Sequence, residues 1–207
     1  MVEFTAWCSK FAENMFVTHI ITDLNDGGAE AVLYRLCGHD SEGTHVVISL
    51  MDEGKYGPLL RHAGVEVYCL GMPRGRVTQG GLSRLWRLLR RLRPEAVQSW
   101  MYHANLVGGI MARLAGILNV YWGVRNTALE AGSSKKSTIW VARLCARLSL
   151  WVPRGIVYCA QKAREVHVGL GYDDRKSRVI YNGYDLSQFS DDDEGRRRLR
   201  KEWAVSD

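Results

Sequence analysis

The stretch FVTHIITDLNDGGAE, Phe16 to Glu30, decides the fold: an apolar β-type run empties into Asn25-Asp26-Gly27-Gly28, and an amphipathic pattern follows from Ala29. It reads as a strand, a glycine turn and a helix start. Two adjacent glycines let the backbone approach a ligand with no Cβ in the way. The unpaired amides of Ala29, Glu30 and Ala31 point out of the helix N-terminus and attract anions. Gly27, Gly28 and Ala29 are therefore candidate binding residues for a phosphate, a diphosphate or a polar sugar. Such glycines also serve tight strand-to-helix packing, and the loop alone does not separate the two uses. The dinucleotide fingerprint is poorly matched, because there is one glycine pair rather than three spaced glycines. No acidic residue follows the second strand either; Asp52 and Glu53, the nearest, fall in a loop.

Outward from this unit the pattern repeats. Strands are expected at His45–Leu50, Val65–Leu70, Ala96–Trp100, Val120–Gly123, Gly155–Cys159 and Arg178–Tyr181. Helices are expected at Gly57–Ala63, His103–Ala115, Ile139–Trp151 and Gln161–Leu170. Leu82, Leu85, Trp86, Leu89 and Leu92 recur at helical spacing between arginines and stop at Pro94, which gives one more, strongly amphipathic helix with Trp86 turned inward. Alternating strands and helices define an α/β class: a doubly wound, Rossmann-like parallel sheet of six or seven strands with helices on both faces, in a single domain. Residues 1–15 read as an extension and 16–189 as the domain. After Phe189 an acidic run and a basic tail, 190–207, are too short for a second core.

A hydrophobic content of 46% is that of a globular protein, and the most apolar stretch, Leu114–Val124, is too short to span a bilayer. The first residues lack the basic start and continuous apolar run of a secretory signal. Five cysteines without CxxC spacing read as reduced core residues of a cytoplasmic protein. The six histidines are scattered, none at ligand spacing from another His or Cys, so no metal site is expected. The net charge of +6 is uneven, with Arg74, Arg76, Arg84, Arg87, Arg90, Arg91 and Arg93 crowded together and a second basic run at Arg196–Lys201. Such clusters suit anionic lipid, phosphorylated substrates or nucleic acid, or are the solvated faces of helices. No nucleic-acid partner is expected, since neither a stacking platform nor a recognised motif accompanies the charge.

In open α/β sheets the strand carboxyl ends line the ligand crevice. His103 follows directly on the Ala96–Trp100 strand and is the candidate catalytic residue, its imidazole offering a hydrogen bond to a sugar or an acceptor. Arg125 and Asn126 end the next strand on the same edge. Arg125 suits a phosphate or carboxylate, or else a surface ion pair with Glu130. Tyr102 and Asn105 are expected to line the same crevice.

Several motifs in order resemble those of the family-four retaining glycosyltransferases, enzymes of the two-domain glycosyltransferase B fold. DLNDGGAEAVLYRL is similar to the family's first glycine loop, and ISLMDEGKYGPLLRHAGVEVYCLGM to its second and third strands. PEAVQSWMYHANLVGGIMARLAG resembles the segment with an acceptor-side histidine, VYWGVRNT the strand end after it, and VIYNGYDLSQF the interdomain hinge, with Tyr181 where a proline is usual. The resemblance implies one half of that fold, the N-terminal acceptor-side domain. The donor domain, with its pair of glutamates, would follow after Asp207. It also implies a hexosyltransferase-type transfer from a nucleotide-sugar donor to a saccharide or lipid-linked acceptor, with retention and without a metal or other cofactor. Cell-envelope polysaccharide or glycolipid synthesis is the expected setting, with the arginine-studded helix on the inner face of an anionic membrane. Alone, the chain is expected to be inactive; the alternatives are a non-catalytic binding subunit of a split glycosyltransferase and, working through the arginine helix, a basic nucleic-acid-binding α/β domain.

Overall fold

Alternation along the first strand sends Ile20 to one face of the sheet and Ile21 to the other, and both are fully buried. A strand apolar on both faces belongs in the middle of a parallel sheet covered on both sides. The computed structural model describes residues 15–40, 42–126, 136–184 and 192–205. Its sheet has seven parallel strands in the order β3-β2-β1-β4-β5-β6-β7. These are β1 (Phe16–Ile21), β2 (Thr44–Ser49), β3 (Glu66–Cys69), β4 (Ala96–Trp100), β5 (Val120–Val124), β6 (Gly155–Tyr158) and β7 (Ser177–Val179). Residues 1–14 of the expected extension and 185–191 around the expected domain end lie outside the described residues.

Helices α1 (Gly28–His39) and α2 (Tyr56–His62) cover one face, where Leu33, Cys37 and Leu60 pack with Ile21, Val47, Val67 and Trp100. On the other face lie α3 (Gln79–Leu92), α4 (Met101–Leu114), α5 (Lys136–Leu148) and α6 (Gln161–Gly169), whose buried residues join Ile20, Ile48, Val97 and Trp122. The doubly wound, Rossmann-like arrangement is thus present, with helices on both faces. A final helix, α7 (Asp193–Glu202), is capped by the Asp192 carboxylate on the Gly195 amide at 2.8 Å.

Local chemistry sets the boundaries. Helix α3 begins where the Thr78 hydroxyl accepts from the Gly81 amide at 3.1 Å, and ends at Arg93, in the left-handed region at φ 48°, just before Pro94. Its leucines pack inward as expected, but Trp86 does not: it is 40% exposed, and its indole N–H donates to the Leu114 carbonyl at 3.4 Å. One residue past Leu85, Trp86 is a third of a turn off the buried stripe. Helix α5 ends at Leu148, which leaves Leu150 and Trp151 exposed in the following turn. The last strand also stops earlier than expected, at Val179, because beyond the Ile180 amide, which donates to the Tyr158 carbonyl at 2.8 Å, the chain leaves the sheet. Of the cysteines expected in the core, Cys37 and Cys145 are buried, but Cys69 is exposed on β3 at the sheet's edge. All four described cysteines are free thiols.

Candidate functional site

Strand order reverses between β1 and β4, so the loops leaving these neighbours part to opposite faces and open a crevice at their carboxyl ends. The registers Ile21↔Trp100 and Trp100↔Gly123 bring the ends of β1, β4 and β5 level. The Gly27-Gly28 loop, His103 and Arg125 with Asn126 therefore share one edge of the sheet. Chain position alone suggested this, and the register establishes it.

The glycine turn is more specialised than its sequence suggests. Gly28 is exposed, with open space where a Cβ would stand, which suits close approach by a ligand. Gly27 is the N-cap, and there a Cβ would collide with the carboxylate of Glu30, which folds back over the helix start. This is the N3 position, from which a carboxylate satisfies the helix terminus. Burial raises the Glu30 pKa, and the nearby charges of Asp23 and Asp26 push the same way. The positive end of α1 thus already faces a carboxylate, so the expected attraction for a dianion there is largely spent. Ala29 is buried at 8% exposure and the Ala31 amide, expected to be free, donates to the Gly27 carbonyl at 3.0 Å, so exposed Gly28 is what remains of the turn to meet a ligand, and beside a carboxylate it suits a hydroxyl group better.

His103 sits in the first turn of α4, half-buried. Its helix follows β4 with no intervening loop, a sharp turn that holds Met101 at φ 70°, a strained value for a non-glycine residue. Burial lowers the His103 pKa, so the ring is neutral at neutral pH and offers one donor and one acceptor. No hydrogen bond to another described residue engages that ring.

Arg125 is the other open functional group. Its guanidinium lies 4.6 Å from the centre of the Trp100 ring, and Nη1 donates to the Asn182 side-chain oxygen. Its Nε–H is buried without a partner, and among the described residues no carboxylate pairs with it. Burial lowers its pKa without removing a charge that arginine keeps. Glu130, the expected ion-pair partner, lies outside the described residues.

Two expected crevice residues are elsewhere. Tyr102 is 2% exposed, and its hydroxyl meets Nε2 of buried His167 at 2.6 Å, while Nδ1 of that ring donates to the Ala163 carbonyl at 2.7 Å. Asn105 is fully buried; its side-chain oxygen accepts from Ser99 Oγ at 2.8 Å and its amide donates to the Gly123 carbonyl at 3.2 Å. Both belong to the face of α4 that packs into the sheet, with Ala104, Gly108, Gly109 and Ala112. Asn126 is half-buried and reaches the Tyr102 hydroxyl.

Three groups were not legible from sequence. Asn182 arrives from the expected hinge: the segment Ile180–Tyr184 leaves β7 and passes over Arg125, and the Arg35 guanidinium of α1 lies 4.8 Å from the Tyr184 ring. Trp100, fully buried, is the floor under Arg125. Behind it His19, Cys37 and His45 gather, with possible ligand atoms all within 4.8 Å of one another, although their sequence spacing gave no hint. His19 pairs with Val47, so it lies diagonally from His45 on the same face. Only a fixed register brings these histidines together.

This geometry defines one doubly wound, Rossmann-like domain with its crevice at the carboxyl edge of the sheet. The chain belongs to Glycosyltransferase Family 4, whose family model matches residues 26–188. No curated protein matches it in sequence. Among solved structures it is similar to HepE from Anabaena in complex with UDP-glucose, at TM-score 0.73 and 16% identity over 93% of this chain and 50% of that one. It also resembles MurG from Acinetobacter baumannii (TM-score 0.56, 14% identity, 83% and 46% of the two chains). The UDP-N-acetylglucosamine 2-epimerase from Rickettsia bellii is similar as well (0.54, 12%, 94% and 50%). The chain spans about half the length of each. At these identities the likeness shows the fold, which transferases and an epimerase share.

Proposed function

We propose that this chain is the acceptor-side lobe of a retaining glycosyltransferase that moves a sugar, of hexosyl type, from a nucleotide donor to a saccharide or lipid-linked acceptor. The observation that carries this reading is Arg125: a half-buried guanidinium on an aromatic floor, with one neutral partner and no carboxylate among the described residues. Such a cation at a crevice mouth is matched to a phosphate. Loss of a nucleoside diphosphate is helped most by fixed positive charge near the leaving oxygens. Neutral His103 contacts sugar or acceptor and is the proposed catalytic residue, while the Gly27-Gly28 turn, rather than buried Ala29, takes a hydroxyl group. A donor-side lobe closes the site, and no metal is invoked.

The chain alone should bind UDP or UDP-glucose weakly and transfer nothing. Isothermal titration with UDP should show Arg125→Ala weaker by roughly 10- to 100-fold, the worth of a charge-assisted contact. Equal affinity in the two proteins would sink the role of Arg125, and unaided sugar transfer would sink the need for a second lobe.

We further propose a cytoplasmic, peripheral location, in cell-envelope polysaccharide or glycolipid synthesis. Among the described residues no helix is long and apolar enough to cross a membrane. Exposed Arg84, Arg87, Arg90 and Arg91 stud α3 and exposed Arg93 caps it, with the Arg90 guanidinium 5.9 Å from the centre of the Trp86 ring. A groove of about 350 Å³ beside them is lined by Arg90, Arg93, Glu95 and Leu118. Interfacial aromatic and guanidinium groups together favour anionic headgroups by about 1 kcal/mol per cation. The chain should therefore sediment with phosphatidylglycerol vesicles and not with phosphatidylcholine, and the double variant Arg90→Ala/Arg93→Ala should bind about 30-fold less. Equal sedimentation with both lipids would count against this surface.

A further inference from the structure

The buried cluster behind the crevice has two chemical readings, and Trp100 separates them. His19, Cys37 and His45 are a ligand set for a soft divalent cation. Yet every ring nitrogen of the two histidines already has a partner. The Trp100 indole N–H lies 3.2 Å from His19 Nδ1, His19 Nε2 lies 3.0 Å from His45 Nδ1, and His45 Nε2 lies 3.0 Å from the Asp40 carboxylate. An indole nitrogen can only donate, so His19 Nδ1 must be the acceptor and Nε2 must carry the proton. That proton is donated to His45 Nδ1, which leaves His45 protonated at Nε2 and donating to Asp40. One order of protons satisfies all three bonds with both rings neutral. A metal on His19 Nε2 would require that ring to be an imidazolate, or its Nδ1–H to oppose the indole N–H.

We infer that His19, held in a single tautomer by His45 and Asp40, is a positioning residue that fixes the Trp100 ring beneath the Arg125 guanidinium. The chain of contacts runs without a gap from the carboxylate at the end of α1 to the cation of the crevice. His19 is 1% exposed and tilts against the indole at 5.9 Å between ring centres, while the Arg125 guanidinium lies over the same indole. Gly123 supports the arrangement, since on the neighbouring strand it presents no side chain beside Trp100. Burial and the neighbouring His45 hold His19 well below its ordinary pKa, which keeps the ring neutral as this proton order requires. The inference rests on the reading of Arg125 as the phosphate-binding cation, and it names what holds that cation in place.

The test compares His19→Asn, whose side-chain oxygen can replace Nδ1 as acceptor, with His19→Leu, which cannot accept. Proton–nitrogen correlation spectra, with Trp100→Phe to assign the resonance, should show the Trp100 indole proton downfield in the wild type and in His19→Asn. In His19→Leu it should return toward the other indoles. Titration with UDP should show His19→Asn close to wild type and His19→Leu weaker by roughly 3- to 10-fold, the worth of one neutral hydrogen bond. If Arg125→Ala weakens UDP but His19→Leu, folded by circular dichroism, does not, the positioning role is overturned while the reading of Arg125 stands. If Arg125→Ala binds UDP undiminished, the reading of Arg125 fails and the inference about binding falls with it. Stoichiometric zinc in the protein as purified, with a thiolate-to-metal charge-transfer band after cobalt exchange, would overturn the proton order itself.

Discussion

Trp100→Ala is expected to lower the unfolding free energy by about 3–5 kcal/mol, read as a shift of the urea midpoint at unchanged slope. Trp100 is fully buried and closes the end of the core formed by α1, α2 and the first strands. Removing the indole empties a cavity between two layers that cannot collapse, because β1 and β5 flank β4 on both sides. It also leaves His19 Nδ1 without its donor and Arg125 without its floor. Trp100→Phe keeps most of the volume and the aromatic face, so its loss should be much smaller. Midpoints for the alanine and phenylalanine variants that coincide would contradict this assignment.

The second large effect is acid sensitivity in a range where carboxylates are still ionised. His19 and His167 are buried and their pKa values are lowered, chiefly by desolvation. The folded protein therefore resists protons that the unfolded chain accepts at its ordinary pKa of about 6.5. Protonation favours the unfolded state, so stability is full above that value and declines as pH falls below it. The loss from each such histidine has an upper limit of about 2 kcal/mol between pH 7 and pH 5, reached where the folded ring takes up no proton at all. Glu30 works weakly the other way, since its raised pKa makes acid slightly favourable there. The melting temperature should accordingly drop between pH 7 and pH 5, and His19→Asn should recover part of the drop. A melting temperature flat across that interval would refute the neutral burial of these rings.

Much of the fold was legible because it rests on periodicity. The run Phe16–Ile21, the leucines of α3 and the stop at Pro94 each carry their own signal, and parallel order follows from strand–helix alternation. Positions at strand ends were legible for the same reason: place along a strand fixes which edge a residue occupies, so His103 and Arg125 lie on the sheet edge where they were expected. What lay beyond reach depends on rotation about a helix axis or on pairing across the sheet. Tyr102 and His103 are adjacent in sequence, yet one is buried against His167 and the other is half-buried at the crevice. Tyr102 and Asn105 were misplaced because a helix start does not reveal which side faces the sheet. The meeting of His19 with His45 needs a register that no single strand encodes.

Asn182 takes one hydrogen-bonding position of Arg125 while Tyr184, two residues on, stacks over Arg35. Only Gly183 separates these two anchors. On the proposed reading of Arg125, an anion that takes its Nη1 must displace Asn182, so filling the crevice and releasing the strip that leaves β7 are coupled at that one contact.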